Sequence, residues 1–140
     1  MSEVETTMAK VLIVDDDPVF KELAAACLGQ AGCVVETAAD GAEGLEALDR
    51  SRFDLVVIDL TVPRVDGLRM VALVRGTARH GKLAIMVSST ARNWVLFEEA
   101  VALGADDALM KPVDWSLFTG RVKNLVAAKS GLRARNARAS

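Results

Sequence analysis

Five short apolar runs punctuate the chain: KVLIV at 10–14, CVVETA at 33–38, LVVIDL at 55–60, LAIMVS at 83–88 and ALM at 108–110. Branched aliphatic residues dominate them, and the third and fourth are apolar without alternation, the pattern of strands buried on both faces. Between the runs the period changes. Phe20, Leu23, Ala24, Cys27, Leu28 and Ala31 recur at the three- and four-residue spacing of a helix with one buried stripe. Leu45 and Leu48 mark a second helix, and Leu68, Val71 and Val74 a third; a fourth runs from about Arg92 to Leu103 and stops at Gly104. Leu117, Phe118, Val122, Leu125 and Val126 mark a fifth, which Gly120 weakens by about 1 kcal/mol relative to alanine. Helix starts carry their own signals: Asp17 before Pro18, Asp40-Gly41, Asp66-Gly67 and Asp114. Strand and helix alternating five times predicts an α/β fold, a doubly wound parallel sheet with helices on both faces and right-handed crossovers.

Composition narrows this further. At 140 residues the chain has the size of one domain. Its 51% hydrophobic content includes only 4% aromatics, so the core is built from Val, Leu, Ala and Ile. A formal charge of −2 gives no global reason to expect nucleic acid. No run is long enough to span a membrane and residues 1–10 are too polar for a secretory signal, which implies a soluble, cytoplasmic protein. Residues 1–9 read as a flexible leader and 10–129 as the folded domain. Residues 130–140, basic and without an acid, read as a frayed helix end or a linker. Cys27 and Cys33 are wrongly spaced for a redox pair or a zinc site and read as small buried hydrophobes. His80, the only histidine, reads as a solvent-facing loop residue.

All strands of a parallel sheet end on one edge, where open α/β folds bind ligands. That edge collects Asp15 and Asp16 after the first run, Asp59 at the end of the third, Ser88 at the end of the fourth and Lys111 after the fifth. An acid at a strand end also serves as a helix cap, so position alone leaves two readings of Asp59 open. Asp17 has that structural task; Asp15 and Asp16 have no evident local partner. Three carboxylates together repel, so one should have its pKa raised unless a cation is bound. Oxygen-only donors suit Mg²⁺ better than a fully caged Ca²⁺. A carboxylate beside Mg²⁺, faced by an ammonium and a hydroxyl, is a phosphoryl-transfer arrangement with aspartate as nucleophile.

The motifs VLIVDDDP (11–18), VVIDLTVPRVDG (56–67), IMVSST (85–90) and GADDALMKP (104–112) together resemble the receiver domains of bacterial two-component response regulators. The resemblance covers roughly residues 10–129. It implies a flavodoxin-like five-stranded sheet of order 2-1-3-4-5. It also implies that Asp59 accepts a phosphoryl group from a sensor histidine kinase, a histidine phosphotransfer protein or a small phosphodonor. Asp16, Asp59 and the Thr61 backbone carbonyl would then ligate Mg²⁺ directly, and Asp15 through a water. Lys111 would pair with a phosphoryl oxygen, and Ser88 would be the hydroxyl that swings toward the phosphoryl group. The domain would be no enzyme beyond assisting its own phosphorylation and dephosphorylation.

Departures concern the output. Ala108 stands where the family usually carries an aromatic residue that moves with the hydroxyl, and Val113 and Val62 replace a common Phe and Met. Neither Thr61 nor Thr90 offers an amide or acid to orient an attacking water, so slow self-dephosphorylation is expected. Trp94, Val95 and Leu96 give the fourth helix extra apolar surface, readable as a wide core contact or as part of a face, formed with the fifth strand and helix, for a homodimer or output partner. The alternative function is a pseudo-receiver that docks partners without phosphorylation. An aspartyl phosphatase would need a general acid after the nucleophile and a cap, and the sequence supplies neither. No helix-turn-helix, cyclase or methylesterase sequence is present, so neither direct nucleic-acid binding nor membrane insertion is expected of these residues.

Overall fold

The computed structural model describes residues 8–90 and 94–139, with side chains through residue 130. Five strands, β1 (Lys10–Val14), β2 (Val34–Ala38), β3 (Leu55–Asp59), β4 (Ala84–Ser89) and β5 (Asp107–Met110), form one parallel sheet of order β2-β1-β3-β4-β5. The helices are α1 (Pro18–Gln30), α2 (Gly41–Arg50), α3 (Gly67–Gly76), α4 (Trp94–Leu103) and α5 (Trp115–Ala139), with a short 3-10 turn at Ala78–His80.

Period-two alternation sorts the strand residues into two cores. Leu12, Val14, Val56, Ile58, Ile85 and Val87 join Leu48, Met70, Val71, Val74, Phe97 and Ala100 of α2, α3 and α4. Val11, Ile13, Leu55, Val57, Ala84 and Met86 meet Phe20, Ala24, Leu28, Phe118 and Val122 of α1 and α5 on the other face. Both faces of β3 and β4 are therefore buried, as their unbroken apolar runs require.

The expected caps are formed. Asp17, Asp40, Asp66 and Asp114 accept hydrogen bonds from the Val19, Glu43, Arg69 and Leu117 amides at 2.9–3.0 Å. Each satisfies an otherwise orphaned amide in a first helical turn.

Several expectations need correction. On α1 the buried stripe is Phe20, Ala24 and Leu28, while Leu23 is exposed, as is Leu117 on α5. A period-3.6 pattern tolerates one extra apolar residue at the stripe's margin. Cys27 and Cys33 are free and half-buried. His80 does not face solvent: its imidazole is 12% exposed and its Nε2 is buried without a hydrogen-bond partner. Residues 130–139, for which a frayed helix end and a linker were both open readings, continue α5 as helix through Ala139. Its Ala, Arg, Lys and Leu residues are good helix formers, and no proline stops it. The leader's residues 1–7 and the α4 start expected near Arg92 lie outside the described residues.

Arg75 ties the edge of the sheet together. Its guanidinium donates to the Gly104, Leu83 and Gly81 carbonyls and to Asp106, whose carboxylate also takes the Ile85 amide. Gly104 ends α4 with φ +119°, and a Cβ there would press on the Arg75 side chain.

Candidate functional site

The carboxyl edge of the sheet gathers all five strand-end groups. Asp59 closes β3 with its side chain buried, and the register places Ser88 beside it on β4. Asp15 follows β1, also buried, and Lys111 follows β5. Lys111 Nζ donates to Asp15 Oδ2 at 2.6 Å and to Asp59 Oδ2 at 2.8 Å, so one ammonium bridges residues 52 and 96 positions distant in sequence. The ammonium also lies 4.1 Å from the centre of the Phe20 ring, whose face is electron-rich.

These contacts set the ionisation of the group. Burial pushes the Asp15 carboxyl up, and the Lys111 and Asp17 hydrogen bonds only partly oppose it, so its pKa is raised. Burial acts on Asp59 in the same sense. There the Lys111 hydrogen bond and those from Thr61 prevail, and its pKa is lowered. Lys111 is disfavoured as a cation by burial, but its two carboxylate partners outweigh that and raise its pKa. One carboxyl is raised, as expected. The main cause is loss of solvent, with repulsion between Asp15 and Asp59 the smallest contribution.

Asp15 has the local partner that sequence reasoning missed: Oδ1 accepts the Asp17 amide at 2.9 Å. Asp16 is exposed, yet Asp15, Asp16 and Asp59 each offer a carboxylate oxygen, and these lie within 4.8 Å of one another. Three anionic oxygens on a half-open rim suit a hard dication that keeps part of its water shell. Ser88 Oγ is buried with no hydrogen-bond partner, a costly state for a hydroxyl. Thr90, two residues on, is exposed.

The loop after Asp59 is built around that carboxylate. Asp59 Oδ1 accepts from the Thr61 amide at 2.8 Å and from the Thr61 hydroxyl at 2.7 Å. Sequence pattern gives no sign of this hydroxyl contact, because a threonine two residues after an acid is common in turns. Gly67 opens α3 directly beneath the loop; a Cβ there would sit 2.4 Å from Leu60 Cα and 2.8 Å from the Asp59 carbonyl. Arg64, at φ 69°, is in the left-handed region that disfavours side chains. Its guanidinium makes a forked pair with Asp40 at 2.7 and 3.1 Å, which fastens the loop to the start of α2.

Buried strand-end carboxylates bridged by a lysine, on the carboxyl edge of a doubly wound sheet of order 2-1-3-4-5, define a flavodoxin-like signalling module. Residues 11–123 match the family model of the response regulator receiver domain, and the chain belongs to that family. It is 32% identical over 123 residues to the two-component response regulator PhoP of Pseudomonas aeruginosa, covering 87% of this chain and 53% of that protein. It is 34% identical over 104 residues to the Regulator of RpoS of Escherichia coli, covering 74% of this chain and 30% of the relative. The chain thus spans about a third to a half of these relatives' lengths. Among solved structures, the chemotaxis response regulator CheY4 of Vibrio cholerae superposes with a TM-score of 0.80 at 33% identity, covering 85% of this chain and 99% of that one.

Proposed function

We propose that Asp59 accepts a phosphoryl group in a Mg²⁺-dependent reaction and that the resulting charge drives a conformational signal. The single observation carrying this reading is the Lys111 ammonium held between Asp15 and Asp59 at 2.6 and 2.8 Å. It keeps Asp59 anionic, and thus nucleophilic, in a buried setting that otherwise favours the neutral acid. An Asp59 carboxylate oxygen attacks phosphorus of a phosphohistidine on a sensor histidine kinase or histidine phosphotransfer protein. The P–N bond breaks, its electrons return to the imidazole, which takes up a proton, and an acyl phosphate forms. Lys111 then stands beside the transferred group's oxygens. Asp15, Asp16, Asp59 and the Thr61 backbone carbonyl would hold Mg²⁺, which when bound neutralises charge on the transferring oxygens.

Ser88 supplies the response. Its buried, unpartnered hydroxyl lies one strand from Asp59, and a phosphoryl oxygen gives it the acceptor it lacks. Ala108, beside Val87 in the β4–β5 register, leaves the step without an aromatic ring. On α4, Trp94 and Val95 are exposed while Leu96 packs on the core, so the apolar excess divides between the two readings. With exposed Val101, Leu103 and Leu117, the former pair forms the face on α4 and α5 that we assign to a second copy or an output partner.

Intact mass after incubation with Mg²⁺ and acetyl phosphate tests the proposal. The expected result is one added phosphoryl group, none for Asp59→Asn, and persistence over minutes, since neither Thr61 nor Thr90 offers an amide or acid to orient a water. Loss within seconds would contradict the last point. No gain from acetyl phosphate or from a panel of phosphorylated kinases would favour a pseudo-receiver that binds partners unmodified.

A further inference from the structure

The amino edge of the sheet, opposite the acidic site, carries a cavity of about 430 Å³ where β3 and β4 begin. That lies within the usual range for small-molecule sites, about 300–1,000 Å³. Its separation from Asp59 is the length of β3, about 16 Å at 3.3 Å per residue, so it belongs to no part of the acceptor site.

Its lining is chemically distinct from that site. Arg52, Arg79 and Lys82 enter it with one carboxylate, Asp54, leaving an excess of two positive charges. Asp54 Oδ2 already accepts the Lys10 amide at 2.8 Å. Arg79 spends one nitrogen on the Asp49 carbonyl at 3.0 Å. Arg50, in the last turn of α2, pairs with Glu36 and, with Arg79 on the Asp49 carbonyl, complements that helix end, so Arg52 and Lys82 are not needed there. His80 also lines the cavity, and its Nε2 is buried without a hydrogen-bond partner; the largely exposed Asp49 carboxylate stands 3.9 Å away. A shielded imidazole nitrogen with nothing to bond is a rare and costly feature that points to an absent ligand atom. Leu48 and Phe53 add apolar wall beyond the volume a bare anion fills.

We propose that this cavity binds a small organic phosphate: the dianionic head meets Arg52, Arg79 and Lys82, His80 Nε2 hydrogen-bonds a ligand oxygen, and the organic part rests on Leu48 and Phe53. Guanidinium forks match phosphate oxygens, and the dianion balances the lining charge.

The chain has one histidine, so its imidazole NMR signals need no assignment. Titration of the full chain with phenyl phosphate, without Mg²⁺, is expected to shift the His80 nitrogen signals saturably with a Kd below about 1 mM. The same shift is expected in Asp59→Asn, which separates this site from the acceptor. Arg79→Ala with Lys82→Ala should weaken binding about tenfold or more, as loss of charge-assisted bonds implies. Arg52→Gln, a milder surface change, should weaken it less, and acetyl phosphate should still label Asp59 in each of these cation variants. No shift up to about 10 mM, an affinity untouched by all these substitutions, or loss of the shift in Asp59→Asn would overturn the proposal. Inorganic phosphate binding as tightly as phenyl phosphate would overturn the organic part, and phenol binding equally would overturn the anionic part.

Discussion

Lys111 is the residue on which the buried charges depend. Removing it leaves Asp15 and Asp59 facing each other at low exposure with no counterion, and an uncompensated buried charge costs more than a lost surface pair. Lys111→Ala is expected to lose about 2 kcal/mol in urea unfolding at neutral pH, with most of it recovered by adding Asp15→Asn. Equal stability of Lys111→Ala and the parent would show that the bridge does not hold the site together. The sequence made the five strand-end groups legible, because a parallel sheet must bring them to one edge. It could not show how they divide their charge. That depends on burial and on contacts such as Phe20 under the ammonium and the Thr61 hydroxyl on Asp59, which join residues with no shared periodicity.

At the scale of elements, strands and helix starts were readable because each has a local cause: apolar runs, and aspartates that cap the next helix. Helix ends and margins were less so. Leu23 and Leu117 fit the helical period yet are exposed, and α5 continues through the segment where a helix end and a linker were both open readings. The β3–α3 loop was legible only as a loop. Its anchor is Arg64, strained at φ 69° and fastened to Asp40. The Arg64 guanidinium holds the Asp40 carboxyl below its ordinary value of 3.8. A depressed folded-state value means that the pair contributes stability above the unfolded pKa, and that this is lost as pH falls through the folded value. The stability of the parent relative to Arg64→Gly is therefore expected to be greatest at neutral pH and to decline as pH falls below 3.8. Glycine also relieves the left-handed strain and loosens the unfolded chain, so the ion pair is read from how the difference changes with pH and not from its size. A gap unchanged in acid would assign the effect to packing.

At the scale of the whole molecule, two distinct edges flank one sheet. The carboxyl edge holds the acids and Lys111, and the amino edge holds the cavity with its cations and His80. Between them α4 and α5 present exposed apolar residues, including Trp94 at 67% exposure. Sedimentation of the parent and of a phosphoryl-mimicking beryllofluoride complex is expected to show association that Trp94→Ala reduces. A monomer in both states would remove self-association through this face and leave it to an output partner. The His80 cavity was invisible in the sequence because it is made by a 3-10 turn folding back on the starts of two strands. A lone histidine beside a glycine gives no sign of that burial.

The central claim is that Asp59, and no other acid of the cluster, takes the phosphoryl group. Borohydride reduction after treatment with Mg²⁺ and acetyl phosphate tests it most directly, since hydride converts an aspartyl acyl phosphate to homoserine with release of phosphate. Peptide mapping by mass spectrometry should find homoserine at position 59 alone. Homoserine at Asp15 or Asp16, or an unreduced Asp59 in a chain that had gained the phosphoryl mass, would contradict the account.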